Sequence, residues 1–336
     1  MNVWGVVPCT LGLLAMLSVV NVQAETASVD DARDALSKKD DDADSAKALE
    51  QVFQAAEKSY TLLKKGERTL TYGFDYSLTR DLQVQTIRTG ADVYSVIAQN
   101  QAQHTFTNAF TFDYGVWDNL TFSTRVPLLA QYDTERDKSS YSLGDISLSL
   151  RWQPWNATRG LPVTTLYATL GLPTGNSPYD IKVDDGISSG SGYYSLGFGA
   201  NLSYVVDPVV LFGSLGYAYN VPVKSVNQVR GGRLLEKVDP GSSFSMSMGF
   251  AYALSYDISL ATSIQMQHNL APKFYFQDIT VDGTEQTSAL MNFSLGVRTS
   301  PERIVNVNAG FGMTEDSPDV LLGFSMPMDI KGLKAQ

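Results

Sequence analysis

Few residues in this chain have side chains that could act on a substrate. Its 336 residues include two histidines, His104 and His268, and one cysteine, Cys9. A serine held beside a histidine makes a nucleophile and base for acyl transfer, and Ser242 with His268 is the pair to weigh. Asn269 and Leu270 follow His268, so no H-x-S arrangement is present. The charged groups are more numerous but stand singly: Asp75, Asp113, Arg125, Asp145, Arg151 and Arg298 fall on separate segments. Isolated acids and bases of both signs make no metal centre by themselves. Placed around a pore, they select the solutes that pass. Which of these chemistries applies depends on the elements that carry the residues.

Those elements repeat. From Thr69 onward, segments of about ten residues alternate apolar and polar side chains and are separated by turns. Leu70, Tyr72, Phe74, Tyr76 and Leu78 interleave with Thr71, Gly73, Asp75, Ser77 and Thr79. Ile146, Leu148, Leu150 and Trp152 interleave with Asp145, Ser147, Ser149 and Arg151. Successive strand residues point to opposite faces, so each segment has one greasy face and one small or polar face. The spacing predicts strands over 69–79, 102–116, 119–130, 143–153, 162–173, 192–206, 208–221, 242–254, 257–268, 286–299, 304–313 and 319–329. Their connections alternate between short turns and longer loops over 80–101, 131–142, 174–191, 222–241 and 269–285, with 314–318 shorter. That pattern is the signature of an all-β membrane protein, a 12-stranded antiparallel transmembrane β-barrel whose short turns and both termini face the periplasm.

Aromatic placement agrees. Trp117, Trp152 and Trp155 all fall at short-turn ends, with Tyr72, Tyr114, Tyr204, Tyr252 and Tyr256 near the same level; Tyr76, Tyr194, Tyr219 and Phe274 fall toward the opposite rim. Amphipathic rings favour the headgroup level, so two girdles are expected of a membrane barrel. With the apolar set facing lipid, the lumen receives Asp75, Asp113, Arg125, Asp145, Arg151, Tyr167, Asn201, Asn220, Gln265, Asn292, Arg298 and Asn306. Many other inward positions are glycine or serine, which leaves space for a pore or for a single helix. Asp75, Asp113 and Arg125 lie on consecutive strands at similar depth. Mixed signs there pair locally, and a charged constriction is the functional alternative. A histidine at the outer rim, as His268 would be, is expected to be interfacial.

Three segments precede the barrel at 67–336. Residues 1–24 read as a signal peptide, with an apolar run from Thr10 to Val20 and Val22-Gln23-Ala24 as the cleavage site; no Lys or Arg precedes the run. Residues 25–45 form an aspartate-rich, flexible spacer. Residues 46–66 read as a short amphipathic helix in which Leu49, Phe53, Ala56, Tyr60 and Leu63 make an apolar stripe and Gly66 ends the turn. A helix this short is marginal alone. It can plug the lumen, rest at the periplasmic mouth, or make a short coiled coil that would join subunits as a trimer. Lys64, Lys65 and Arg68 are expected near Asp113.

The net charge is −10, which argues against nucleic acid as a partner. No long apolar run follows the leader, so no membrane helix is expected. Nothing in the chain calls for a cofactor or a metal. The Ser188 to Gly190 stretch is small and polar and should accept an inserted epitope.

Four stretches carry a family resemblance: Lys65 to Asp81, Gly144 to Trp152 (GDISLSLRW), Leu170 to Pro178 (LGLPTGNSP) and Ser191 to Val205. Together they resemble the outer-membrane transporter family of the meta-pathway of phenol degradation. The helix followed by KGE also looks like the barrel of functional-amyloid secretion channels, which have a coiled coil, a plugging helix and twelve strands. Here the N-terminal heptads are few. Some twelve-stranded outer-membrane barrels are phospholipases, but the missing H-x-S pattern sets this chain apart from them. The resemblance implies an outer-membrane channel rather than an enzyme, embedded in lipid. Its cargo would be a solute or an unfolded polypeptide, such as an amyloid subunit, passing passively under control of the N-terminal helix.

Overall fold

The computed structural model describes residues 62–328 except 89–93, 135–136, 156–160, 182–185, 207–208, 231, 256 and 301–302. They belong to one compact unit, Ala43–Gln336. The leader, the spacer and the helix up to Thr61 lie outside the described residues.

Thirteen strands form one closed antiparallel sheet. They are β1 (Arg68–Arg88), β2 (Tyr94–Trp117), β3 (Leu120–Asp133), β4 (Lys138–Leu143), β5 (Ile146–Trp152), β6 (Val163–Leu172), β7 (Ser195–Val206), β8 (Val209–Asn220), β11 (Ser243–Ala253), β12 (Ile258–Asn269), β15 (Gln286–Ser300), β16 (Arg303–Gly312) and β17 (Val320–Met328). β4 and β5 pair with the upper and lower parts of β3, so together they make a single wall strand and the barrel has twelve. β1 pairs with β17 from Leu70↔Met328 to Leu78↔Val320, which leaves no free edge. In lipid this closure is obligatory, because water is not there to bond an open edge.

Burial is inverted relative to a soluble protein. Leu150, Phe198, Leu215 and Phe250 are exposed on the outer face, while Thr71, Thr121, Ser123, Thr165 and Asn201 are buried on the inner one. Alternation produces this directly: lipid takes the apolar face, and the lumen takes the rest. Trp117, Trp152 and Trp155 are exposed at the short-turn end. At the other end Tyr76 stacks on His104, which in turn meets Tyr132.

The loops expected at the long-loop end are more ordered than their sequence suggests. β1 and β2 stay paired through 80–101 up to Arg88↔Tyr94. The connections 222–241 and 269–285 contain β9 (Val223–Arg230), β10 (Arg233–Asp239), β13 (Lys273–Phe276) and β14 (Thr280–Asp282), which form a separate four-stranded sheet in the order β14-β13-β10-β9. Its core is Val226, Leu235 and Val238, packed by Val223, Phe274, Phe276 and Tyr179. Phe274, expected in the outer girdle, belongs to this core. A small soluble-type sheet packs its apolar residues inward, so the lipid-barrel pattern does not extend to it.

Candidate functional site

The barrel encloses a cavity of about 660 Å³. Seven of the expected lumen residues line it: Asp75, Asp113, Arg125, Arg151, Tyr167, Asn201 and Gln265. The other five share the inward parity but are engaged elsewhere. Asp145 and Asn220 stand at the long-loop end, where Asn220 donates to Gly241 O at 2.8 Å. Asn292 lies across Gly310 on the neighbouring strand. Arg298 and Asn306 sit toward the short-turn end of β15 and β16. Parity therefore assigns a face, and depth decides which residues meet the cavity.

The charges pair, and they fall on one side. Arg151 Nη2 lies 2.7 Å from Asp113 Oδ1, with both side chains nearly buried. Ser123 donates to the same carboxylate and accepts from Arg151 at 2.9 Å. Arg125 and Asp75 stand 3.8 Å apart and are more open. This answers the expectation that Lys64, Lys65 or Arg68 would meet Asp113: its partner is Arg151, while the Lys65 N–H donates to Asp118 and Arg68 lies over the Tyr114 ring. The opposite wall, from β7, β8, β11, β12 and β15, presents Asn201, Ser214, Ser245, Ser247, Gln265 and Ser288. There Ser214 and Ser247 share a 2.7 Å hydrogen bond. Hydroxyls and amides serve as donors and acceptors without net charge.

At the short-turn end the chain that leads into β1 lies against the inner wall. The Leu63 N–H donates to Thr121 Oγ1 at 2.9 Å, and Thr121 is fully buried on the face that carries Ser123. The Gly66 N–H donates to Gly115 O, and the Gly115 N–H donates to Glu67 O. A Cβ on Gly115 would overlap Lys64 O and stand 2.9 Å from Leu63 O. Gly66, at φ +82°, makes the reversal that a glycine allows. Of the expected helix stripe, Leu63 alone is described; Leu49, Phe53, Ala56 and Tyr60 are not among the described residues. Nothing in the sequence marked Thr121 and Gly115 as the residues that receive this segment.

At the long-loop end, residues 174–176 and 189–191 lie against the wall, and Ser189 O approaches its lumen face beside Pro127 and Leu129. Between the pairs Arg125↔Ser147 and Leu128↔Leu143, Val126 and Pro127 stand opposite Gly144, Asp145 and Ile146, which is a β-bulge. Thr174 fills the gap in the ladder by donating to Gly144 O and accepting from the Ile146 N–H. Ser189 donates to Leu143 O at 2.8 Å and accepts from the Asn176 N–H at 2.9 Å. The Ser188 to Gly190 stretch is thus pinned to the wall, and an insertion there would break these bonds, contrary to the sequence expectation. The two residues considered for hydrolysis have separate partners: His268 bonds Thr287 at 2.9 Å, and Ser242 accepts from Tyr217 at 2.8 Å.

The sequence model of a family described as "Putative MetA-pathway of phenol degradation" matches residues 83–328. Among solved structures, an outer-membrane channel from Pseudomonas putida F1 is similar with a TM-score of 0.62 at 12% identity, covering 81% of this chain and 98% of that one. The translocator domain of the autotransporter NalP from Neisseria meningitidis gives 0.46 at 11% identity over 85% and 98% of the two chains. The CymD monoaromatic hydrocarbon channel gives 0.43 at 10% identity over 80% and 89%. The likeness to the Pseudomonas putida channel is one of fold.

Proposed function

This chain belongs to the family described as MetA-pathway of phenol degradation, and from that footing we propose that it is a passive channel of the bacterial outer membrane, with both termini in the periplasm, whose lumen is occluded from the short-turn side by the segment preceding β1. The observation that carries this reading is the position of Leu63 and Lys64, against Thr121 and Gly115 on the lumen face. A chain that passes this point on the inner wall brings the apolar stripe of residues 46–63 toward the cavity, where a helix too short to stand alone finds a surface.

The solute fits the lining. Arg151 with Asp113, and Arg125 with Asp75, pair locally, so the charged side chains among the residues that line the cavity sum to zero. A facing wall of hydroxyls and amides suits a neutral solute that carries a hydroxyl group. Phenol and related small hydroxylated aromatics are the class to test first, in keeping with the family description.

Planar-bilayer recordings decide the occlusion. Deleting residues 25–64 should leave a folded barrel with larger and more frequent open states. Gly115→Ala should act in the same direction, because its methyl group overlaps the backbone of Lys64. If all three proteins conduct alike, the segment is not a plug, and association between subunits becomes the better account. Passage of an unfolded polypeptide would need the lumen vacated, so it is tested on the truncated barrel.

A further inference from the structure

Asp145 accepts hydrogen bonds from both limbs of one loop. Its Oδ1 takes the Gly175 N–H at 3.0 Å on the outgoing limb. Its Oδ2 takes the Ser191 N–H and the Ser191 hydroxyl, each at 2.6 Å, on the returning limb. A carboxylate satisfied by three donors is a strong joint, since bonds to a charged acceptor are shorter and stronger than neutral ones. The limbs also touch each other: a Cβ on Gly175 would stand 2.8 Å from Gly190 Cα.

The described limbs of this loop are held on both flanks of β6 and β7, the strands it connects. On the β3/β4 side it lies on the lumen face. A Cβ on Gly144 would meet the side chains of Pro127 and Leu129, and Ser189 O lies 3.5 Å from the same point. Pro127 and Leu129 share the face of Ser123 and Arg125, which line the cavity. Gln131 and Asp133, farther along that face, are buried. On the other side the loop joins the sheet inserted after β8 and β12. Tyr179 packs on its core, Gln228 donates to Ile181 O at 2.7 Å, and Arg230 donates to Pro178 O at 3.0 Å. β9, which carries Gln228 and Arg230, leaves the wall at β8; in the ring order three of the twelve wall strands stand between β3 and β8, so a loop held at both places reaches inward across part of the mouth.

We propose that Asp145 is the latch of this strap: it holds the limbs 174–181 and 186–191 over the lumen side of the long-loop mouth and thereby sets the aperture through which a solute enters. This assignment rests on the channel reading above. It gives one role to the two sequence motifs of the family resemblance, since Gly144-Asp145 supplies the bulge and the acceptor, and Leu172 to Gly175 supplies the limb that is held. Asp145 is a positioning residue and touches no solute.

The test uses the full chain. Asp145→Ala should fold, as read by heat-modifiability on gels, and should show higher single-channel conductance together with faster nicking of 174–191 by added proteinase K. Gly190→Ala should do the same without altering the wall, because its methyl group overlaps Asp145 Oδ1. A disulfide between Asn176→Cys and Ser189→Cys, introduced into the Asp145→Ala protein, should restore both readouts when oxidised and release them when reduced. The latch is overturned if the folded variants are nicked no faster than the wild type, or if the disulfide restores neither readout. Nicking that responds as expected while no form of the protein conducts would instead overturn the channel reading and leave the latch standing.

Discussion

The phenol of Tyr167 occupies the space that a side chain at Gly216 would need. Tyr167, Gly199 and Gly216 form one row across β6, β7 and β8, and the tyrosine lies flat along it. A Cβ on Gly216 would overlap Tyr167 Oη and stand 2.6 Å from Ser245 Oγ. The ring therefore follows the wall and leaves the cavity open. Gly216→Ala should swing the ring into the lumen and lower single-channel conductance. The double variant Gly216→Ala with Tyr167→Phe removes the overlapping oxygen and should recover it. Equal conductance in the wild type and Gly216→Ala would show that the ring does not control the bore.

The two faces of β5 should respond in opposite ways to one substitution. Leu148 faces lipid between Thr124 and Leu170. An arginine there should impair membrane assembly, at a cost of about 2–4 kcal/mol if it lies near the mid-plane. Ser149, which lines the cavity, should accept arginine, fold normally and shift ion preference toward anions. Folding is read by heat-modifiability and preference by reversal potential. Equal folding of both variants contradicts the face assignment.

Removing one partner of the buried ion pair should cost more than removing both. Arg151→Met leaves the Asp113 carboxylate buried beside Ser123 alone, a loss on the order of 3–5 kcal/mol. Arg151→Met combined with Asp113→Leu should recover most of it. Unfolding midpoints in guanidinium chloride measure the difference. If the single and double variants are equally unstable, the pair is not the unit of stability in this wall.

Orientation is tested by labelling. An epitope inserted at Gly232, which has φ +78° and open space around it, should be reached by antibody on intact cells. One inserted between Asp207 and Pro208 should be hidden until the outer membrane is permeabilised. The reverse pattern inverts the topology.

The wall strands were legible because lipid imposes a strict rule on every second residue. Phe244 to Tyr252 keeps that rule, and the strand it predicts is present as β11. The continuation of β1 and β2 past residue 80 was not legible. Gln83, Gln85 and Thr86 interleave with only scattered apolar residues, and pairing beyond the lipid needs no greasy face. β9 was hidden for a different reason: Ser225 and Asn227 have positive φ, which breaks alternation within a strand of eight residues. In the site, parity found Asp75, Asp113, Arg125 and Arg151 from sequence. It could not separate them from Asp145, which has the same parity but is held by backbone donors of a distant loop. Thr121 and Gly115 gave no signal, because a threonine and a glycine on an inward face look the same whether or not another segment rests on them.

The seam between β1 and β17 has a consequence for how this barrel is made. Leu70 and Met328 are neighbours in the wall yet lie almost at opposite ends of the described chain. Contacts so distant in sequence form late, since their loop-closure entropy must be met before they give anything back. Only a few residues separate Leu63 from β1, and they already lie along β2 and β3. On the plug reading proposed above, the ring closes around a segment already held at Leu63.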